Sequence, residues 1–239
     1  MVGALLLAAG NGARMLGKIE DKLLQPIGDS NAFLLSCLAF LDSGAVSSIV
    51  IVYKNEEQRI QLNFCLSEHL AQYSNLPGLN ILWVQGGKER QDSVWEGLHA
   101  LPEEITHVMI HDCARPFIKG HTICELADQI IQNRAVSVAR PLKDTLRLRI
   151  DDSDNPLQPS VTKTLNRAKH WLMETPQGAP RKWLIQGLKE ANTLETLVTD
   201  DMAALELAGY PIAMLETNYP NPKITTPDDF SYAEFLFRS

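Results

Sequence analysis

The sequence predicts an α/β fold, in which a mostly parallel β-sheet is covered by helices and a β-hairpin arm is inserted late in the chain. The sheet is predicted by strand-length runs that are apolar throughout, and by the helix-length amphipathic stretches that separate them. Strands of that kind are buried on both faces, as in parallel sheets with helices on either side. The arm is predicted by one stretch that instead alternates with period two.

The predicted elements alternate along the chain. Strands are expected at Ala4–Ala8, Ser48–Tyr53, Asn80–Val84, Thr106–His111, Ala135–Ala139 and Pro211–Glu216. Helices are expected at Asn31–Ser43, Asn55–Tyr73, Gln91–Leu101, Thr122–Asn133, Pro180–Thr193, Asp200–Ala208 and Pro227–Phe237. In sheets of this kind, ligands bind at the carboxyl ends of the strands, where the loops open. Functional residues are therefore expected in the loops that follow the strands.

The arm is predicted within residues 140–171. Thr145–Ile150 alternates, and a second extended run, Ser160–Leu165, follows after an acidic turn. This pattern is typical of a β-hairpin. Because a two-stranded arm is only marginally stable alone in water, we expect it to pack on another chain; a solvated loop is the alternative. The turn Asp151–Asn155 resembles the start of a calcium loop, but Pro156 occupies the position where that loop needs glycine.

Composition restricts the class of protein. The chain has 239 residues, 45% hydrophobic and 21% charged, with a net charge of −7 from 22 Lys+Arg and 29 Asp+Glu. This suits one folded domain, residues 1–239, and excludes disordered and disulfide-built proteins. No apolar run approaches the roughly 20 residues that cross a membrane, and the acidic balance argues against nucleic acid as a partner. The four cysteines form no Cys-x-x-Cys pair, which favours reduced thiols in a cytoplasmic protein.

The loop after the first strand is rich in glycine and is followed by basic residues. Glycines there let backbone N–H groups approach an anion. A dinucleotide-binding fingerprint needs a third glycine where Met15 stands, and a Walker A loop needs a hydroxyl where Ile19 stands. What remains is a loop that carries Arg14, with Lys18 and Lys22 close behind. These cations suit a triphosphate and its pyrophosphate leaving group; a tight turn with solvated basic residues is the alternative.

Later loops carry weaker signals. Gly86–Val94 places twin glycines before polar residues, which suits contact with a base or ribose, although an ordinary helix N-terminus fits equally well. Asp112 follows a buried strand, where it could bind a metal or a substrate hydroxyl, or cap a turn. We interpret His111 as a hydrogen-bonded core residue. We interpret Asp200–Asp201, with Thr199 ahead, as a helix N-cap with first-turn acids.

Taken in chain order, these loops resemble the 2-C-methyl-D-erythritol 4-phosphate cytidylyltransferase family of the non-mevalonate isoprenoid pathway. The matching segments are Leu7–Met15, Gly86–Val94, His111–Pro116, Lys143–Thr145, Thr175–Gln177, Val198–Asp201 and Asn221–Thr225. The resemblance implies a Rossmann-like nucleotide-transferase sheet and an arm by which two subunits form a homodimer. It also implies transfer of CMP from CTP to 2-C-methyl-D-erythritol 4-phosphate, with release of pyrophosphate and with Mg²⁺ as cofactor.

The resemblance implies a role for individual residues. Phosphate charge during the transfer would be offset by Arg14, Lys22, Arg167 and Lys223. CTP would be bound by Ala8, Ala9, Gly10, Gly12, Gly87, Lys88 and Ser93. The methylerythritol phosphate pocket would contain Asp112, Arg115, Thr145, Thr175 and Thr199, some of them from the partner subunit. Mg²⁺ would be held mainly by the CTP phosphates, with Asp112 as its candidate protein ligand.

Departures from the family pattern leave alternatives open. Asp21 and Leu23 flank Lys22 where the family has Pro and often Gln, so Lys18 is a rival for the role of Lys22. The acceptor could be another polyol phosphate, such as ribitol 5-phosphate. From other classes, the chain could be a nucleotide-binding regulatory protein without turnover, or an NAD-binding oxidoreductase, although the latter conflicts with Met15.

Overall fold

The elements of the fold alternate in the predicted order. The computed structural model describes residues 1–10, 21–73, 79–151, 155 and 157–239. Its elements are β1 Val2–Leu7, β2 Pro26–Ile27, β3 Ser30–Asn31, α1 Ala32–Ser43, β4 Ser48–Tyr53, α2 Glu56–Leu70, β5 Asn80–Gln85, α3 Arg90–Ala100, β6 His107–Asp112, α4 Gly120–Ile130, β7 Ala135–Pro141, β8 Arg147–Arg149, β9 Thr162–Thr164, β10 Trp171–Pro180, α5 Arg181–Thr193, α6 Asp201–Leu207, β11 Ile212–Glu216 and α7 Asp229–Arg238. Short 3₁₀ turns follow α2 and β9, at Ala71–Tyr73 and Arg167–Lys169.

Seven of these strands form one sheet, in the order β11-β7-β10-β6-β1-β4-β5. Neighbouring strands are parallel except around β10, which runs antiparallel to both β6 and β7. The predicted mostly parallel α/β sheet is therefore confirmed. Each strand predicted from the sequence is present, whereas β10 and the two-residue strands β2 and β3 were not predicted.

Strand β10 was not predicted because its composition is unusual for a strand. It contains two prolines, a glycine and a glutamate, which are residue types depleted in strands. Its pairing with β7 shifts register between Met173 and Gln177, so the polar residues between them depart from the regular ladder. Within that irregular stretch, the hydroxyl of Thr175 accepts a hydrogen bond from the backbone N–H of Asp112 at the end of β6. The irregularity therefore brings polar side chains to the carboxyl end of a central strand.

Helices cover both faces of the sheet and bury its strands. One apolar cluster includes Phe33 and Phe40 of α1, and the other includes Val94 of α3 and Leu184 of α5. Burial on both faces explains why the strands are apolar without alternation. Among the helices in the described ranges, none combines the length and apolar character that spanning a membrane requires.

The predicted arm is an antiparallel hairpin in which β8 pairs with β9, with Arg147 opposite Thr164. The hairpin prediction is therefore confirmed, while residues 152–154 and 156 of its turn lie outside the described residues. Apolar side chains of the arm face solvent in the single chain: Leu148 is 51% exposed, Ile150 59% and Val161 68%.

Candidate active site

A cleft of about 340 Å³ opens at the carboxyl ends of β1 and β6. Its lining consists of Leu7, Ala8, Ala9, Gly10, Lys22, Leu23, Gly87, Lys88, Glu89, Arg90, Ser93, Asp112, Ala114, Lys223 and Thr225. The lining thus combines the end of β1, the start of α3, the end of β6 and a loop near the C-terminus. This is the edge of the sheet at which α/β proteins bind ligands.

One wall of the cleft consists largely of backbone. Ser93 accepts a hydrogen bond from the N–H of Gly87 through its hydroxyl at 3.2 Å. A Cβ at Gly86 would lie 2.6 Å from that hydroxyl and 2.8 Å from the Cβ of Ala9, so a larger residue would force these groups apart. A capping box between Glu89 and Asp92 fixes the start of α3 beside this wall.

Asp112 places an ionised carboxylate at the floor of the cleft. Its Oδ1 lies 3.3 Å from Nε of Arg90, and its Oδ2 lies 2.5 Å from Nζ of Lys223. Burial opposes ionisation, but the positive charges of Arg90 and Lys223 outweigh it and hold the pKa of Asp112 well below its usual range. Both carboxylate oxygens therefore face cations that come from distant parts of the chain.

Arg90 also binds a second carboxylate. Its two terminal nitrogens donate to Asp201 at 3.0 and 2.7 Å, which is a bidentate pair. Burial disfavours the charged guanidinium, but Asp201 and Asp112 outweigh burial and raise the pKa of Arg90. Asp200, not Thr199, is the N-cap of α6, so the expected cap is shifted by one residue.

His111 is a buried part of the scaffold, as the sequence predicts. Its Nε2 lies 3.1 Å from the carbonyl oxygen of Arg115, and its Nδ1 lies 3.1 Å from the hydroxyl of Thr175. Because a carbonyl only accepts, Nε2 carries the proton and Nδ1 accepts from Thr175. Burial lowers the pKa of His111 to about 4. Both nitrogens of the neutral ring are thus engaged, and His111 is not placed to abstract a proton from a ligand.

Two lysines meet at the loop near the C-terminus. Lys22 donates from Nζ to the carbonyl oxygen of Ile224 at 2.8 Å. The N–H of Ile224 in turn donates to the carbonyl oxygen of Ala114 at 2.8 Å, which ties the loop to the segment after β6. Lys223 precedes Ile224 and reaches Asp112. Lys22 and Lys223 are therefore connected through one short backbone segment, and both line the cleft.

The structure brings many of the sequence-predicted site residues together. Those in the lining of the cleft are Ala8, Ala9, Gly10, Lys22, Gly87, Lys88, Ser93, Asp112 and Lys223. Arg14, Gly12 and the rival lysine, Lys18, lie outside the described residues. Lys22 reaches the cleft, and the choice between Lys18 and Lys22 stays open.

Other predicted residues lie outside the lining. Thr175 is buried behind Asp112, and Arg115 is half-buried and donates to the carbonyl oxygen of Asn221 at 2.9 Å. Thr199 is exposed at the start of α6, and Thr145 is exposed at the base of the arm. Arg167 is also exposed and donates to the carbonyl oxygen of Lys143 at 2.5 Å. Within one chain, these last three residues do not join the cleft.

Sequence reasoning assigned no role to Arg90 and interpreted Asp201 only as a first-turn acid. The carboxylate of Asp201 is buried against Arg90, and the motif that contains Arg90 supplied only Gly87, Lys88 and Ser93 as predicted site residues. Gln177 completes the arrangement by accepting from the N–H of Asp201 at 2.9 Å. The sequence signal was an acidic pair at a helix start, and it does not reveal which distant cation it binds.

Comparison with known proteins gives the same family that the loop motifs resemble. A family model described as IspD, 2-C-methyl-D-erythritol 4-phosphate cytidylyltransferase, matches residues 2–239. The chain is 34% identical over 230 residues to the protein of that name from Prochlorococcus marinus (strain MIT 9313), covering 96% of this chain and 95% of the relative. It is 34% identical over 233 residues to the protein of that name from Bacillus licheniformis, covering 97% and 94%.

Solved structures show the same fold. A 4-diphosphocytidyl-2C-methyl-D-erythritol synthase from Anaerococcus prevotii superposes with a TM-score of 0.82 at 24% identity, covering 100% of this chain and 98% of that one. A 2-C-methyl-D-erythritol 4-phosphate cytidylyltransferase from Thermus thermophilus gives 0.74 at 23% identity, covering 100% of both chains. Since the family model matches residues 2–239 and the relatives are matched over nearly their whole length, the chain belongs to the 2-C-methyl-D-erythritol 4-phosphate cytidylyltransferase (IspD) family of nucleotidyltransferases.

Proposed function

We propose that this chain transfers CMP from CTP to 2-C-methyl-D-erythritol 4-phosphate, giving 4-CDP-2-C-methyl-D-erythritol and pyrophosphate. Family membership over residues 2–239 supports this reaction. The observation that carries it is the single cleft in which Lys22 and Lys223 lie with Asp112. Cations that converge on one cleft suit a reaction between two anionic substrates, because they offset the repulsion between the phosphates.

In this proposal, CTP lies along the wall made by the end of β1 and the start of α3. Ala9, Gly87 and Ser93 line that wall, and the hydrogen bond from the N–H of Gly87 to the hydroxyl of Ser93 fixes its shape. The triphosphate extends toward Lys22, where positive charge favours the departing pyrophosphate. By the family resemblance, Arg14 is proposed to share this role with Lys22.

The reaction needs no general base. The nucleophile is an oxygen of a phosphate monoester, whose second pKa is about 6, so it is already largely ionised at neutral pH. The buried, hydrogen-bonded ring of His111 fits this proposal, because it is closed to a ligand. The protein's task is then to hold the two substrates in line and to offset their charge.

The acceptor phosphate is proposed to bind at Lys223, with Arg115 and Thr175 close to the same floor. We further propose a homodimer in which Arg167 and Thr145 of one protomer reach the cleft of its partner. The exposed apolar side chains of the arm support this arrangement, since a second subunit would remove them from water. We assign Thr199 to the rim of the acceptor pocket by resemblance alone.

Mg²⁺ is the proposed cofactor. Its preferred sites combine one or two carboxylates with substrate phosphates. Asp112 supplies an ionised carboxylate in the cleft, while no group of three or more His, Cys, Asp or Glu side chains converges on a metal site within the described residues. We therefore propose that CTP phosphates would hold the ion together with Asp112. When bound, the cation neutralises charge on the phosphate oxygens.

A cytoplasmic location is also proposed. All four cysteines, Cys37, Cys65, Cys113 and Cys124, are free thiols. Free thiols fit a reducing compartment, where disulfides are rare.

The reaction is tested by incubating the purified chain with CTP, Mg²⁺ and one acceptor at a time. Pyrophosphate release and the mass of the nucleotide product are measured together. We expect the CDP-alcohol with 2-C-methyl-D-erythritol 4-phosphate and only background with ribitol 5-phosphate or without acceptor. Product from ribitol 5-phosphate alone would assign another polyol phosphate as the acceptor. Binding of CTP without product from any acceptor would support a regulatory protein instead.

A further inference from the structure

A series of ion pairs links a buried carboxylate outside the lining of the cleft, Asp201, to three residues of the lining, Arg90, Asp112 and Lys223. It begins at Asp201, which is 2% exposed and holds both terminal nitrogens of Arg90. It continues from Nε of Arg90 to Oδ1 of Asp112 and from Oδ2 of Asp112 to Nζ of Lys223. The members come from α6, α3, β6 and the loop near the C-terminus, so the series joins four parts of the fold.

Asp201, the first member of this series of ion pairs, is itself held in place by Gln177. Gln177 of β10 accepts from the N–H of Asp201 at 2.9 Å and donates to Asp200 at 2.8 Å. A bidentate guanidinium–carboxylate pair has a defined geometry, so Asp201 fixes the plane of Arg90 as well as its position. Arg90 consequently presents Nε to Asp112 in one orientation.

Under the proposed function, binding of the acceptor changes the partners of Asp112. When Lys223 moves to an acceptor phosphate, Asp112 loses one of its two cationic partners. A buried carboxylate without a partner is strongly disfavoured. Arg90 can remain on Asp112 during this exchange because its own position depends on Asp201 and not on the ligand.

We propose that Arg90 is a positioning residue for the cytidylyl transfer, held by Asp201, which fixes Asp112 and through it the resting position of Lys223. The inference rests on the proposed function. It predicts that replacing Asp201 lowers kcat/KM for the acceptor because Lys223 is displaced, although Asp201 does not line the cleft.

The kinetic test is a double-mutant cycle between Asp201→Asn and Lys223→Ala. We expect Asp201→Asn to lower kcat/KM for the acceptor roughly 10- to 100-fold, since small misplacements of reacting groups have effects of this size. Combined with Lys223→Ala, it should add little, because both changes remove the same placement. The matched control is Glu206→Gln, which removes an exposed carboxylate from the same helix and should leave kcat/KM unchanged. Fully additive losses would overturn the proposal.

A crystal structure of the Asp201→Asn protein provides a readout that does not require turnover. We expect the guanidinium of Arg90 to leave its position and the contact between Asp112 and Lys223 to open. An unchanged Arg90–Asp112–Lys223 arrangement would contradict the proposal. If Asp201→Asn fails to fold, Arg90→Lys, which keeps the charge but loses the bidentate pair, takes its place in both tests. A wild-type chain that is inactive with every acceptor would contradict the proposed function, and the crystallographic result would still decide the positioning role.

Discussion

The ammonium of Lys22 donates a hydrogen bond of 2.8 Å to the carbonyl oxygen of Ile224, the residue that follows Lys223. Through this contact, lysines from opposite ends of the chain meet at one segment of the cleft. Their convergence reconciles a net charge of −7 with polyanionic substrates. The excess of acidic residues describes the whole chain, whereas the lining of the cleft combines four cations, Lys22, Lys88, Arg90 and Lys223, with two carboxylates, Glu89 and Asp112.

Replacing Lys22 by alanine should lower kcat by roughly tenfold or more, because it removes charge that favours the departing pyrophosphate. The measurement is steady-state pyrophosphate release, together with the unfolding midpoint to show that the variant folds. Lys182→Ala is the matched control, since Lys182 is an exposed lysine on α5 outside the lining of the cleft. Near-normal kcat in folded Lys22→Ala protein would remove Lys22 from the mechanism.

Replacing Lys223 by alanine should raise KM for the acceptor or lower kcat by roughly tenfold, with a smaller change in KM for CTP. The reason is that Lys223, which contacts Asp112, is the proposed site of the acceptor phosphate, whereas CTP is proposed to lie along the wall formed by Gly87 and Ser93. Separate titrations of the two substrates measure this difference. If both kcat and KM for the acceptor were unchanged, the acceptor phosphate would have to bind elsewhere.

Replacing Gly86 by alanine should weaken CTP binding. The added methyl group would lie 2.6 Å from the hydroxyl of Ser93 and 2.8 Å from Ala9, so the wall must deform. We expect KM for CTP to rise roughly tenfold, as for other small displacements of positioned groups. Gly120→Ala is the control, because its nearest neighbour would be 3.8 Å away. Equal values of KM in both variants would indicate that CTP does not use this wall.

The free energy of unfolding should fall as the pH decreases from about 6.5 toward 4, the interval set by His111. Burial lowers the pKa of His111 from 6.5 to about 4, so within this interval the unfolded chain binds a proton that the folded chain does not. The stabilisation is complete above the unfolded pKa and is lost as the pH falls through the folded one. A shift of this size corresponds to roughly 3 kcal/mol.

Urea unfolding at about pH 7 and about pH 5 measures this effect, because the interval between them contains much of the titration. The His111→Asn variant provides the comparison. It should be less stable than the wild-type chain at neutral pH, since it loses buried hydrogen bonds, but its stability should depend less on pH. The same pH dependence in both proteins would assign the titration to another group.

The parts of the fold that sequence reasoning reached are those with local signals. Apolar strands and the period-two alternation of the arm are visible within a few residues, and these predictions are confirmed. Strand β10 was missed because its prolines, glycine and glutamate carry no strand signal, and it is held in the sheet by β6 and β7. Tertiary pairing decided its conformation.

The residues of the candidate site were likewise predicted where the sequence signal is local and missed where it is not. Glycine loops and the strand-terminal Asp112 were found because each follows a recognisable strand. The pairing of Arg90 with Asp201 was missed because it joins residues 111 positions apart, and neither residue alone indicates its partner. Arg167 is exposed in a single chain, and the alternation of Thr145–Ile150 does not specify where the arm places it.

The central claim is that Lys22 and Lys223 hold the phosphates of two substrates in one cleft. A crystal structure of the chain with Mg²⁺, a non-hydrolysable CTP analogue and 2-C-methyl-D-erythritol 4-phosphate tests it most directly. We predict that the triphosphate lies within hydrogen-bonding distance of Lys22, and that Lys223 has exchanged Asp112 for the acceptor phosphate. A complex in which the acceptor phosphate binds away from Lys223, or the triphosphate away from Lys22, would contradict the account.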